Sequence, residues 1–337
     1  MFDLGDLEVP VVGAPMAGGA SSPALAAAVS EAGGLGYLAA GYKTAERVAA
    51  EVAETRRATS GPIGLNLFVV EPFHPLPEVV EAYRRSLEPA AARLGVALGA
   101  PAWDDDGWDV KLGVALDLRP DVVSFTFGCP EAEVFRRLAE LGIHSAVTVT
   151  TVFEAREAVQ RGANSLCVQG PEAGGHRGIW GSDAVPDDTV GLQDLLAAIT
   201  SEVQVPVVAA GGLTDATGVD AVMRGGAVAA QVGTALLLAD EAGTHPVHRA
   251  ALVDGAYTHT ERTRAFTGRW ARGLSNRFVR EHADAPAGYP HLHHLTAPVR
   301  AAALATGDAQ TAHLWAGTGY RDIQSAPTRE IIRLLTP

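Results

Sequence analysis

The sequence predicts an α/β protein folded as a (β/α)8 TIM barrel, with a small inserted, mostly helical and irregular subdomain before the last barrel helix. Three observations carry this. Eight short β-runs alternate with helical segments between Val9 and Val232. The runs are continuously apolar, as strands buried on both faces must be, and eight is the number that closes such a barrel. The first turn, Gly13-Ala14-Pro15, lacks the Gly-x-Gly-x-x-Gly that a doubly wound dinucleotide-binding sheet would place there.

Taken in order, residues 9–17 read as the first strand. Ser22 then caps a helix over 23–32 whose first position is Pro23, and Gly33-Gly34 ends it. A second strand covers 35–40, and Thr44 caps a helix over 45–57. The third strand, 63–70, carries Asn66. Residues 71–118 break the rhythm with several prolines, an amphipathic helix near 78–94 and the run Asp104-Asp105-Asp106, read as a solvated loop. Alternation resumes with strands at 121–127, 145–149, 165–168, 205–210 and 228–232. The helices between them fall at 130–141, 151–161, 192–203 and 216–223. From about 241 to 300 the pattern turns irregular, basic and His-rich. The expected division is therefore a barrel over 1–240, a substrate-side subdomain over 241–300, and a return to the barrel over 301–337 with a last helix at 327–335. His291, His293 and His294 sit close in sequence but lack convergent spacing, so no metal is assigned.

Bulk properties narrow the function. With 47% hydrophobic and 19% charged residues over 337 positions, a large core forms and disorder does not. A net charge of −13 argues against nucleic-acid or anionic-membrane binding. No apolar run reaches the roughly 20 residues that span a bilayer. No signal peptide is visible, and a reduced, cytoplasmic protein is expected. Cys129 and Cys167 each fall within or at the end of an apolar run and read as small hydrophobes.

The most distinctive stretch is Gln169 to Gly178, a glycine-rich loop leaving an apolar strand with one imidazole, His176, whose ordinary pKa suits proton transfer near neutrality. Ligands in such barrels sit at the C-terminal strand ends. Met16, Asn66, Gln169, Gly211-Gly212 and the segment Gln231 to Thr234 all fall at those ends. Side-chain amides converging on one mouth suit a flat heterocycle with carbonyls and ring nitrogens, and bare glycine N–H groups suit a phosphate. Together these describe FMN.

Several pieces, spread in order along almost the whole chain, then carry a resemblance. They are APMAGGASSPALAAAVSEAGGLGYLAAGY at 14–42, GLNLF at 64–68, VQGPEAGGHRG at 168–178, PVVAAGG at 206–212, QVGTALL at 231–237, FTGRWARGLSNRF at 266–278 and LWAGTG at 314–319. In combination the sequence resembles the nitronate monooxygenases, FMN barrels once called 2-nitropropane dioxygenases, and among them the bacterial class I group. The resemblance implies non-covalent FMN held by Ala14, Pro15, Met16, Asn66, Gln169, Gly174, Gly175, Gly211, Gly212, Gln231, Val232, Gly233 and Thr234, with His176 as catalytic base. It implies oxidation of alkyl nitronates or nitroalkanes by O2 to a carbonyl compound and nitrite, and a homodimer is compatible with it. The alternative reaction is that of a related FMN-dependent NAD(P)H reductase acting on enoyl thioesters or quinones. One departure stands out: Thr318 occupies the place where such proteins usually carry Gln.

Overall fold

A computed structural model of the protein describes residues 2–337. Eight parallel strands form its inner wall: β1 (Val11–Gly13), β2 (Gly36–Ala39), β3 (Ile63–Phe68), β4 (Val122–Thr126), β5 (His144–Val149), β6 (Ser165–Gln169) and, beyond a two-residue strand β7 (Gly175–His176) that lies outside the wall, β8 (Val207–Ala210) and β9 (Ala229–Val232). The hydrogen-bonded order runs β1-β9-β8-β6-β5-β4-β3-β2. The ring closes between its ends, where Gly13 N–H donates to Leu35 O at 2.9 Å and Leu35 N–H donates to Val11 O at 3.1 Å. Nearly every residue of these strands is buried, which is why the sequence shows apolar runs there and no alternation.

The outer ring begins with α1 (Pro23–Glu31) and α2 (Ala45–Ala58), whose N-caps Ser22 and Thr44 accept hydrogen bonds from Leu25 N and Arg47 N. The 71–118 stretch holds two helices rather than one: α3 (Pro77–Leu94) and α4 (Trp108–Leu118). The second of these packs on α2 and β3 and serves as the barrel helix, whereas α3 packs away from the wall on a later helix. The sequence reading missed α4 because its apolar residues are spread around the helix and no capping side chain marks its start at Gly107. Next come α5 (Ala132–Glu140), α6 (Val152–Arg161), α7 (Leu192–Thr200) and α8 (Ala216–Arg224).

Above the barrel mouth lies a cap. It contains α9 (Pro246–Val253), the hairpin β10 (Thr260–Thr263) and β11 (Ala271–Leu274), α10 (Arg277–Glu281) and α11 (His291–Thr306). The expected edge at residue 300 falls inside α11, and the expected helical or irregular segment contains a sheet, β10-β11-β7. Its core is shared with α3: Val80, Tyr83 and Leu87 pack with Phe266, Phe278, Leu292, Leu295 and Val299. Finally α12 (Thr328–Leu335) returns to the ring between α1 and α8, burying Ile331, Ile332 and Leu335. No described helix is long and apolar enough to cross a membrane.

Close packing of α1 on β2 requires a residue with no side chain at Gly36, where a Cβ would lie 1.9 Å from the backbone oxygen of Ala26. Overpacking of this kind costs roughly 1–3 kcal/mol or more. Gly36→Ala is therefore expected to lower the urea midpoint with an unchanged m-value; an unaltered midpoint would contradict this account of the α1–β2 contact.

Candidate active site

The C-terminal ends of the barrel strands surround a cavity of about 240 Å³. The residues singled out in the sequence meet there. Ala14, Pro15 and Met16 enter from the exit of β1, Asn66 from β3, and Gln169 with Gly174, Gly175 and His176 from β6 and its loop. Gly211 and Gly212 follow β8, and Gln231, Val232, Gly233 and Thr234 end β9.

Each is held by an identifiable local cause. The first strand is shorter than the apolar run at 9–17, because the chain leaves the sheet after Gly13 and turns over the cavity. Buried Ser21 holds that turn: it accepts from Met16 N at 2.8 Å and donates to Ala14 O at 3.2 Å. The side chain of Asn66, 2% exposed, donates through Nδ2 to Ser124 Oγ and Thr126 Oγ1, both at 2.9 Å. Its Oδ1 accepts nothing from the described residues. Gln169 is used largely by its own loop. Its Nε2 donates to His176 O at 3.0 Å, and its Oε1 accepts from Gly178 N at 2.7 Å. By contrast, the Gln231 amide and the N–H groups of Gly212 and Gly233 find no hydrogen-bond partner among the described residues. Two glycines are sterically required. A Cβ at Gly174 would lie 2.4 Å from Gly317 N, and Gly212 takes φ +69° with Glu172 Cβ 2.9 Å from where its own would be. The side chain of Thr318, the departure noted above, flanks Gly212 but does not reach the cavity wall.

His176 does not sit on a free loop as the sequence suggested. Gly175 and His176 form β7, pairing antiparallel with Arg272 and Ala271 of β11, and Arg177 N donates to Trp270 O at 2.8 Å. Arginines clamp the same loop. Arg272 Nε donates to Pro171 O at 2.9 Å, Arg262 pairs with Asp188 at 2.6 Å, Arg177 reaches back to Gln169 O, and Arg269 bonds Ile179 O. The imidazole Nε2 lies 2.9 Å from Thr267 Oγ1, and the ring is walled by Phe127, Tyr289 and Trp315 at centroid distances of 5.7, 6.4 and 5.4 Å. Burial, reinforced by the Arg269 and Arg300 guanidiniums, pushes the His176 pKa down to about 3, so the ring is neutral near pH 7. No described residue bonds its Nδ1.

Several cavity residues had no signal as site residues in the sequence: Tyr42, Thr244, His248, Arg300, His313 and Trp315. They lie beyond the strand ends or in the cap; Tyr42 ends the motif at 14–42 and Trp315 lies in LWAGTG, but neither motif marked them as site residues. Burial pushes His248 down to about 4 and lowers His313 well below the usual imidazole range. The clustered histidines of 291–294 part company. His293 stacks on Tyr42 with ring centroids 4.2 Å apart, while His294 pairs with Asp104. Among the described residues no group of His, Cys, Asp and Glu converges as a metal cage.

Comparison with known proteins gives this geometry its relatives. The family model described as nitronate monooxygenase matches residues 3–337. A nitronate monooxygenase of Paraburkholderia phytofirmans is 36% identical, over 98% of this chain and 92% of its own. Among solved structures, a nitroalkane oxidase from Streptomyces ansochromogenes superposes with a TM-score of 0.95 at 48% identity, covering 98% of this chain and 96% of its own. FabK from Thermotoga maritima superposes at 0.77 with 27% identity, covering 99% and 93%.

The enclosed imidazole carries a pH signature. Between its folded pKa of about 3 and the ordinary 6.5, His176 is neutral when folded and protonated when unfolded. Unfolding then takes up a proton, so stability falls as pH drops through that window. His176→Asn should flatten the decline by up to one proton in the slope of unfolding free energy against pH, read from urea midpoints between pH 6.5 and 3. An identical slope would show that the ring titrates normally in the folded state.

Proposed function

The chain belongs to the nitronate monooxygenase family, and we propose that it binds FMN across the barrel mouth and oxidises alkyl nitronates, or their parent nitroalkanes, with O2 to a carbonyl compound and nitrite. The residues present suit that cofactor. The uncommitted N–H groups of Gly212 and Gly233 suit a phosphate. The free Gln231 amide and the open Asn66 Oδ1 suit the polar edge of a flat ring. When bound, FMN supplies the redox chemistry, which no side chain here can supply.

The single observation that carries the reading is a neutral imidazole with an uncommitted nitrogen facing the same cavity as these groups. Thr267 holds Nε2. In the tautomer where Thr267 donates to Arg269 O and accepts from Nε2–H, Nδ1 offers a lone pair to the cavity. That nitrogen can take the acidic α-proton of a nitroalkane. The enclosure that keeps the ring neutral also makes its protonated form costly, so the balance favours a substrate that arrives as the nitronate. Phe68, Phe127 and Trp315 restrict water around the reacting carbon.

Four outcomes test this reading. The protein should purify yellow and release FMN on denaturation, and NADH or NADPH should leave the flavin oxidised under anaerobic conditions; rapid bleaching would favour the reductase alternative. Gly233→Val should lose FMN while keeping its unfolding midpoint. The atoms nearest a Cβ there are Ala14 Cβ at 3.4 Å, Met16 Sδ at 3.6 Å and Met16 Cγ at 3.9 Å, all at ordinary contact distance, so the fold accommodates it while the cradle fills. Full flavin occupancy in that variant would place the phosphate elsewhere.

His176→Asn should keep FMN and lose roughly 10²–10⁴ in turnover of a neutral nitroalkane. With the preformed nitronate it should lose much less, since that proton is already gone. Equal impairment with both forms, in a folded and fully flavin-loaded variant, would rule out proton abstraction as the role of His176.

A further inference from the structure

Arg300 presents a cation that the reading above does not use. It lines the cavity together with His176, from α11 in the cap. Its side chain is fixed from one side only. Nε donates to Thr296 Oγ1 at 3.1 Å, and Nη2 donates to His293 O at 2.9 Å and lies 3.1 Å from His293 Nδ1. Thr296 is itself buried and bonded to Phe266 O, so the guanidinium is held in one orientation. Its Nη1 makes no hydrogen bond to the described residues, and no described carboxylate lies within ion-pair distance of it. A largely buried cation without a counter-ion is costly unless something else supplies the charge. A second observation is independent of the first: the Nδ1 atom of His313, on the same cavity, is buried with no partner. Both are groups to which an anion with more than one oxygen could bind.

We propose that the Arg300 guanidinium, with His313 on the same wall, forms an oxyanion subsite that takes the two oxygens of the substrate's nitronate group. The identity of the anion rests on the function proposed above; the subsite rests on the geometry. A nitronate is planar, with its charge shared between two oxygens, which matches the flat fork of an arginine. The FMN phosphate is the other anion of the site, but its glycines follow β8 and β9. Arg300 instead holds His293, which stacks on Tyr42 beyond β2, and Tyr42 in turn packs on Phe68 of β3. The positive field of Arg300 bears on both His176 and His313 and opposes their protonation. The cation and the base are thereby divided in role: one holds the anion, the other stays neutral beside it.

The test uses nitrate, a planar oxyanion that cannot be oxidised, titrated calorimetrically into the FMN-loaded protein. The wild type should bind nitrate saturably, and nitrate should compete with the nitronate substrate. Arg300→Gln should weaken nitrate binding at least about tenfold, as loss of a charge-assisted hydrogen bond does. It should also raise KM for the nitronate more than for the neutral nitroalkane. Arg300→Lys, which keeps the charge without the fork, should fall between. No nitrate binding by the wild type, nitrate that does not compete, or an Arg300→Gln protein with full flavin and unchanged nitrate affinity would each overturn the subsite. Should Arg300→Gln fail to retain flavin, the lysine variant and the wild-type competition decide instead. The two readings fail separately. Nitrate bound through Arg300 in a protein that does not oxidise nitronates keeps the subsite and removes the function. Nitronate oxidation with a KM indifferent to Arg300 does the reverse.

Discussion

The pairing of Gly175 and His176 with Ala271 and Arg272 is the constraint on which the site depends. A loop with glycines at 170, 174, 175 and 178 has much conformational entropy to lose and few side chains with which to hold itself. It is therefore held from outside. Two antiparallel residue pairs give the backbone a register, and arginines from the hairpin and its flanks bind the loop's carbonyls and Asp188. The imidazole is aimed by a sheet formed some ninety residues later in the chain. This explains why the cap cannot be regarded as an ornament on a self-sufficient barrel: without β11 there is no β7, and without β7 the imidazole has no fixed direction.

The cap also sets the electrostatics. The molecule carries −13 overall, yet its cavity is approached by Arg269 and Arg300 and by imidazoles kept neutral. Burial and the neighbouring guanidiniums act in the same direction on those rings, each opposing a further positive charge. The result is a mouth whose fixed charge is cationic while the His176 imidazole remains uncharged. A net acidic surface and a locally positive, partly desolvated cavity are compatible because charge effects fade over about 10 Å in salt and strengthen where water is thin.

Polar groups at the strand ends divide into two kinds once their partners are known. Gln169 and the Nδ2 of Asn66 already have partners within the protein: the first is bonded to the backbone of its own loop, the second to Ser124 and Thr126 of the neighbouring strand. Gln231 and the N–H groups of Gly212 and Gly233 are uncommitted. In the sequence all of them look alike, as polar or glycine residues ending apolar runs. Committed and uncommitted amides are separated by what stands opposite, and that is settled by strand register and loop path.

By itself the sequence determined the barrel, its eight strands, most of its helices and their caps, because apolar period, N-capping residues and terminal glycines act within a few residues of one another. It also marked which residues would meet at the mouth, since strand ends in a closed parallel barrel converge whatever the loops do. Tertiary structure alone decided the rest. Helix α4 carries no helical period or cap, and its place against β3 comes from packing. β7 is two residues long and exists only through its partner. Tyr42, Arg300 and His313 become site residues because the cap folds over the mouth, a contact between segments as far apart as residues 42 and 293. The protonation state of His176 likewise depends on burial and on two distant arginines, neither of which has any expression in the local sequence around it.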